Sequence, residues 1–521
     1  MSNKDFAEVV IEKENEYINT RRKKATTSEV EFEAPTCLTV LLARIGYYIL
    51  IAIGFLNEFL FPSKVVEEKN RTGYESILDS YSPFYLKYVV YRFKDCIQRT
   101  ICSIAGPELT FRERVFTTNS QYRAVGAEYK CLNLGSYNYL GFAENSGPCA
   151  ENAIKSIYQY GISTGSTRLQ YGTCALHDEV EKLLAEYLGV EDSVIFGMGY
   201  ATNALTIPTF VSSECLVLSD QQNHASVVFG FKLSKATVKI FKHNDMEHLE
   251  TLLKEGIYYG QPYQENNNYK PWKKIIIFVE GLYSMEGTIC PLPKLIALKK
   301  KYKAYLYLDE AHSIGALGKR GRGVVDYYNC NSNDVDMLMG TFTKSFGAAG
   351  GYIAGKRELV TNLRQHTYAS KYSWAVSPPV AAQIMAVLRI LMKKDGTSDG
   401  RNRIERLSQN TRYFRMRLKQ MGLVIYGIDN SPVIPLLTYH YSKFVYLVRR
   451  LLQENIAAVG VTYPATTFLK TRIRICLSAG HTKDQLDHVL QVLDKISDEI
   501  GLRYSRIPIE NTPVAWDDKE I

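Results

Sequence analysis

What this chain of 521 residues lacks narrows it first. Its ten cysteines form no Cys-x-x-Cys pair and no cysteine–histidine cluster with zinc spacing, so neither a thiolate metal site nor any other metal centre is expected. Scattered single thiols of this kind fit a reducing compartment. No long basic block and no aromatic–basic stripe is present, and a net charge of +9 is modest for the length, so nucleic acid is not an expected partner. Repeats and low-complexity tracts are missing, and residues 1–34 are polar and mixed in charge, unlike a cleavable signal peptide. Hydrophobic residues at 46% and charged residues at 22% are an ordinary globular balance, which excludes a disordered chain.

One segment breaks the soluble pattern: Leu38 to Phe61, LTVLLARIGYYILIAIGFLNEFLF. It approaches the roughly 20 apolar residues that cross a bilayer. Arg44 interrupts it early and Asn57-Glu58 late. Membrane association is expected, either as a spanning helix or as an amphipathic one lying in the interface; a buried core helix is the plainer alternative. Arg21-Arg22-Lys23-Lys24 before the segment and Lys64, Lys69 and Arg71 after it leave its orientation open.

From about Leu132 to Gly355, short apolar runs alternate with helical patterns. Val194–Phe196, Cys215–Leu218, Val238–Phe241, Ile275–Val279, Tyr305–Leu308 and Met337–Met339 read as strands, and 179–188 as a helix. The alternation predicts an α/β domain with a mostly parallel sheet, whose ligands gather at the strand C-termini. Pro378-Pro379 opens a helical pattern through Lys393, and a smaller α/β unit follows, with strands near Leu423–Tyr426, Val433–Thr438 and Ile473–Leu477. The expected division is a polar segment 1–37, a membrane-associated helix 38–61, an arm 62–130, a large domain 131–396, a small domain 397–504 and a tail 505–521.

Chemistry concentrates around Lys344, in GTFTKSFGAAGGYI (340–353), where hydroxyls flank the lysine and a glycine-rich turn feeds an apolar strand. Upstream, Asp309-Glu310-Ala311-His312-Ser313 ends the run Tyr305–Leu308. A lysine that bonds to pyridoxal phosphate needs such company: a carboxylate to hold the pyridine nitrogen protonated, and polar groups for the phosphate and phenolic oxygen. Asp309 suits the first task, although alone it could equally cap a helix. His312 can reach the phenolic oxygen or a substrate carboxylate, and His224 can stack on the ring. Gly197–Asn203 follows a strand and opens a helix, a place for a phosphate that Thr341 and Thr343 can support. Ser284 can approach the phenolic side. Arg474, on a strand with Arg472, can clamp a carboxylate.

GSYNYLGFA (135–143), FGMGYATN (196–203), NHAS (223–226), VEGLYSMEG (279–287), YLYLDEAHSIGALG (305–318) and GTFTKSFGAAGGYI (340–353) together resemble the α-oxoamine synthases, fold-type I pyridoxal phosphate enzymes. Within them the likeness is to the lysine-bearing, catalytic subunits of eukaryotic serine palmitoyltransferase. The resemblance implies a large parallel-sheet domain with a smaller C-terminal α/β domain. It implies catalytic roles for Lys344, His224, Asp309 and His312. The cofactor would be received by these with backbone at Met198, Gly199 and Tyr200, together with Ser284, Thr341 and Thr343. Tyr137, Asn138 and Arg474 would meet the substrate. L-serine and palmitoyl-CoA are the implied substrates, and a lysine-free paralogue and small regulatory subunits the implied partners. The implied location is the endoplasmic reticulum membrane, with catalysis facing the cytosol. Gly165, and Thr467 in Tyr463-Pro464-Ala465-Thr466-Thr467, depart from the pattern and bear on substrate preference. A glycine- or alanine-using synthase, a non-catalytic assembly subunit and an aminotransferase of the same fold are the alternatives.

Overall fold

The computed structural model describes residues 32–61, 88–116, 122–262, 269–463, 465–507 and Trp516. The expected polar segment through residue 31, the first part of the arm, Pro464 and nearly all of the tail lie outside the described residues. Two compact units form: Tyr137–Ser408, and Glu33–Ser136 together with Gln409–Glu520. The segment 38–61 and the described part of the arm thus belong with the C-terminal half, a different division from the linear one drawn on the sequence.

The second unit begins with helix α1 (Cys37–Leu60), then strands β1 (Glu108–Phe116) and β2 (Tyr122–Asn133). In the first unit come α2 (Gly147–Tyr160), α3 (Ala175–Leu188), β3 (Asp192–Phe196), α4 (Gly199–Phe210), β4 (Cys215–Asp220), α5 (Ala225–Ser234) and β5 (Thr237–Phe241). After α6 (Met246–Tyr259) follow β6 (Lys274–Glu280), α7 (Leu292–Tyr302), β7 (Tyr305–Asp309), the short α8 (Val324–Tyr327), β8 (Met337–Thr341) and β9 (Gly351–Gly355). The unit closes with α9 (Arg357–His366), α10 (Tyr368–Tyr372) and α11 (Pro378–Leu391), where two prolines occupy the first helical turn and need no N–H partner.

Its seven strands run in the order β3-β9-β8-β7-β6-β4-β5. From β5 to β8 every neighbour is parallel; β9 runs antiparallel to both β8 and β3. The expected parallel sheet is present, and each of the six strand segments read from the sequence lies on one of its strands. Continuous apolar runs such as Cys215–Leu218 work because helices cover both faces of such a sheet. Val194, Phe210, Val217, Phe278, Tyr307 and Ile353 meet in its core.

In the second unit, α12 (Asp399–Gln420) leads in from the first, and β10 (Val433–Leu437), α13 (Tyr441–Gln453), β11 (Ile456–Ala457), β12 (Val459–Val461), β13 (Arg472–Cys476) and α14 (Lys483–Ile500) follow. β10, β13 and β12 form one antiparallel sheet. The expected strand at Leu423–Tyr426 is not formed. Gly422 and Gly427 bracket it at φ of 72° and 95°, and the run joins β10 through an isolated bridge between Ile425 and Leu436. β1 and β2, in a stretch read as merely mixed, pair antiparallel, with Leu109 and Phe111 buried on one face.

α1 shows most of its apolar side chains to the exterior of this chain. Thr39, Ala43 and Gly54 are buried, while Leu38, Leu41, Leu42, Tyr48, Phe55 and Phe59 are exposed. It is not a buried core helix.

His481 ties the second unit together. Its Nδ1 accepts from the Ser478 N–H at 3.1 Å and its Nε2 donates to the Asn133 carbonyl at 2.9 Å. Burial pulls its pKa down to about 4. As pH falls from an unfolded value of about 6.5, the unfolded chain takes up a proton that the folded one refuses, so stability is lost down to the folded value. His481→Ala is expected to flatten that acid slope. By orphaning the Asn133 carbonyl it costs about 1–3 kcal/mol at neutral pH, read by urea unfolding.

Candidate active site

Parallel pairing puts the ends of four strands side by side. β4 finishes at Asp220, β6 at Glu280, β7 at Asp309 and β8 at Thr341. Glu280 stands in register with Asp309, and Asp309 with Met339. This is the edge at which an open α/β sheet binds ligands.

Asp309 is 4% exposed and held on both oxygens. Oδ1 accepts from the Ala311 N–H at 2.9 Å and Oδ2 from the Asn203 amide at 2.8 Å. The first contact is the helix-cap-like turn that the sequence also allowed; the second comes from α4 and leaves the carboxylate in a fixed orientation.

His224 precedes α5 as its N-cap, its Nδ1 accepting from the Ser226 N–H at 3.2 Å. The residue stays exposed, while protein packed around its ring lowers its pKa, aided by the Lys344 charge and opposed by that of Asp309. A neutral imidazole with an open face suits stacking on an aromatic ring. Its backbone N–H donates to Glu280 at 2.5 Å. Burial, reinforced by the neighbouring Asp309 charge, pushes the Glu280 carboxyl well above the usual carboxylate range.

Lys344 follows β8 and is half-buried, with Nζ 5.9 Å from the centre of the Tyr137 ring. Tyr137 also packs edge-on against His312, at 5.0 Å between centroids. The His312 Nδ1 hydrogen-bonds the Tyr139 hydroxyl at 2.9 Å. Asn138 is buried and accepts from the Ala143 N–H through Oδ1 at 3.2 Å. The YNY triplet therefore wraps the His312 side of the site.

The phosphate place is built from α4 and β8. Met198 is the N-cap of α4 and supplies no side-chain acceptor, which leaves first-turn N–H groups facing outward. The Thr341 hydroxyl lies against this helix end: a Cβ on Gly199 would sit 2.6 Å from its Oγ1, so only glycine fits. Thr341 and Thr343 share a hydrogen bond of 2.9 Å. A helix N-terminus with two hydroxyls beside it fits a phosphate dianion. Tyr200 is next on α4, its ring 6.1 Å from that of His224.

Two further expected residues lie in the turn after β6 and on β13. Ser284 is buried in the turn after β6, and its hydroxyl enters none of the hydrogen bonds described above. Arg474 lies on β13 in the other unit, buried, opposite Pro435 and Val459. Its neighbour Arg472 is fully buried, its Nε donating to the Lys470 carbonyl at 2.7 Å. Sequence reasoning passed over Asn203, Ser226, Tyr307, Glu280 and Tyr139. Tyr307 had a signal, since it shares a strand face with Asp309 two residues on.

Residues 129–493 match the model of the aminotransferase class I and II family. Over 495 residues the chain is 45% identical to serine palmitoyltransferase 2 of Caenorhabditis elegans, covering 93% of this chain and 88% of that one. The chain belongs to the serine palmitoyltransferase family. Other members of it include serine palmitoyltransferase 3 of Homo sapiens, 44% identical with 94% and 89% covered, and serine palmitoyltransferase 2 of Saccharomyces cerevisiae, 40% identical with 98% and 93% covered. A solved serine palmitoyltransferase carrying pyridoxal phosphate as an internal aldimine superposes with a TM-score of 0.66 at 26% identity, covering 75% of this chain and 93% of that one. That of Sphingomonas wittichii shares the fold at a TM-score of 0.69 and 24% identity, covering 82% of this chain and 99% of that one. The fold-type I transferase architecture and pyridoxal phosphate as the cofactor stand with this family, and the α4–β8 phosphate place fits the group.

The raised Glu280 gives a pH signature. As pH rises past the ordinary carboxylate range, the unfolded chain releases this proton while the folded chain keeps it. Stability therefore falls with rising pH, by up to about 1.4 kcal/mol per pH unit. Glu280→Gln keeps an oxygen for the His224 N–H and is expected to remove that slope above the ordinary carboxylate range. Thermal unfolding of both proteins above that range checks it; parallel curves would show that Glu280 is ionised when folded.

Proposed function

We propose that this chain is the catalytic subunit of a serine palmitoyltransferase, condensing L-serine with palmitoyl-CoA to 3-ketodihydrosphingosine with release of CO2 and CoA. The observation that carries the reading is Lys344 beside the strand ends that hold Asp309 and Glu280, together with His224 and a phosphate-fitting helix end. A subunit serving assembly alone has no need of this lysine. Bound pyridoxal phosphate supplies an electron sink for the carbanion generated at the serine α-carbon. Asp309 holds the pyridine nitrogen in its protonated form, and the neutral His224 ring covers one face. The α4 N-terminus with Thr341 and Thr343 receives the phosphate. Lys344 would hold the cofactor through Nζ at rest and, once the serine amino group has displaced it, its freed amine would take the serine α-proton. His312, oriented by Tyr139, and Ser284 serve the phenolic side, and Tyr137 and Asn138 border the substrate. Arg474 enters as the carboxylate clamp by resemblance alone.

The partner in this reading is a lysine-free paralogous subunit, joined by small regulatory subunits, on the endoplasmic reticulum membrane with catalysis on the cytosolic side. α1 supports the membrane part. Its 24 residues span about 36 Å at 1.5 Å per residue, long enough to cross. Yet Tyr47 packs on Tyr441 at 5.9 Å, and Ala43, Tyr47 and Leu50 line a cavity of about 620 Å³ shared with Arg92, Arg449 and Arg450. A helix docked through Ala43, Tyr47 and Leu50 beside arginines is better placed in the interface than at mid-bilayer, where those charges cost several kcal/mol.

Membranes co-expressing the chain and a lysine-free partner are expected to release CoA from palmitoyl-CoA with serine well ahead of alanine and glycine. Glycine ahead would move the chain to another condensing activity, and no release with any amino acid would favour the assembly role. Lys344→Ala should lower turnover about a thousandfold or more while the two subunits still co-purify; normal turnover would remove Lys344 from the mechanism.

A further inference from the structure

Between Asp309 and His224 lies a chain of buried polar groups that the family motifs do not assign. Tyr307 is 0% exposed, and Asn203 and Ser226 are 1% exposed. The Tyr307 hydroxyl donates to Asn203 Oδ1 at 2.6 Å. The Asn203 amide nitrogen donates to Asp309 Oδ2 and, at 3.0 Å, to the Ser226 hydroxyl. That hydroxyl lies 2.7 Å from His224 Nδ1.

We propose that Asn203, fixed by Tyr307 and acting through Ser226, is a positioning residue that sets both the Asp309 carboxylate and the tautomer of His224. The inference rests on the pyridoxal phosphate reading above and extends it to residues that do not themselves touch the cofactor.

Donor and acceptor counting leaves one arrangement. An ionised Asp309 only accepts, so the amide nitrogen of Asn203 faces it and Oδ1 faces Tyr307, whose hydroxyl must donate. Both amide hydrogens are then used, one on Asp309 and one on Ser226. The Ser226 backbone N–H donates to His224 Nδ1, so Nδ1 is an acceptor and the Ser226 hydroxyl, which accepts from Asn203, donates to it as well. His224 Nδ1 therefore carries no proton and Nε2 does. One amide thus aims the group meant for the pyridine nitrogen and selects the neutral imidazole beside the ring. Reversing it would set its oxygen against Asp309 and leave two buried donors misdirected.

The test uses the enzyme purified with its partner subunit, stripped of cofactor and titrated with pyridoxal phosphate by absorbance, followed by a pH titration of the bound spectrum. Asn203→Ala is expected to weaken cofactor affinity about tenfold and to move the midpoint of the spectral transition by about one pH unit. Tyr307→Phe keeps the ring and removes only the donor, so it should shift both quantities in the same direction by about threefold and half a unit. Should Asn203→Ala fail to fold, Tyr307→Phe decides. Wild-type affinity and midpoint in the folded variants, with Asp309→Asn strongly impaired, would overturn the positioning role and leave the cofactor reading intact. No binding by the wild type would overturn both.

Discussion

Two carboxyl groups end adjacent parallel strands, and the pairing of Glu280 with Asp309 is the constraint around which the site is arranged. Like charges this close and this buried are not both ionised at modest cost. The structure resolves the conflict by giving the two groups different partners. Glu280, fully enclosed, is driven toward its neutral form and accepts a backbone N–H from His224. Asp309 receives a backbone N–H and an amide, donors that favour a carboxylate. In the proposed reading Asp309 is the group that meets the pyridinium at this sheet edge, and the neighbouring Glu280 carboxyl positions His224.

Much of this was legible in the sequence, for identifiable reasons. Continuous apolar runs mark β4, β6, β7 and β8 because strands covered on both faces leave no polar alternation to confuse the reading. Lys344 and Asp309 declare themselves because each ends or follows such a run with polar company. Asn203, Ser226 and Tyr307 do not. They are polar residues inside helices or strands, and their partners lie far along the chain: Tyr307 and Asn203 are 104 positions apart, Asn203 and Asp309 106. Periodicity carries no trace of a contact made at that separation. Tyr139 sits in the motif GSYNYLGFA, but its partner His312 lies 173 positions away. Leu423–Tyr426 has the apolar composition of a strand, but the left-handed glycines on either side of it, Gly422 and Gly427, limit its pairing to a single bridge. β1 and β2 show the converse, an alternation of two that a charged, tyrosine-rich setting obscured.

The relay through Asn203 also depends on the hydrophobic core. A hydroxyl can orient an amide only if its own ring is immobile, and the Tyr307 ring lies 4.7 Å from that of Phe278 and 6.0 Å from that of Phe210. Three aromatic side chains from β7, β6 and α4 thus fix a phenolic oxygen at the base of the site. Packing at interior density leaves such a ring no alternative rotamer without opening a void, which costs on the order of a few kcal/mol. Orientation passes from ring to hydroxyl, from hydroxyl to amide, and from amide to a carboxylate and a hydroxyl that serves an imidazole. Substitutions that loosen the ring stack, though they touch neither cofactor nor substrate, act on the chemistry by the same route as those in the relay itself.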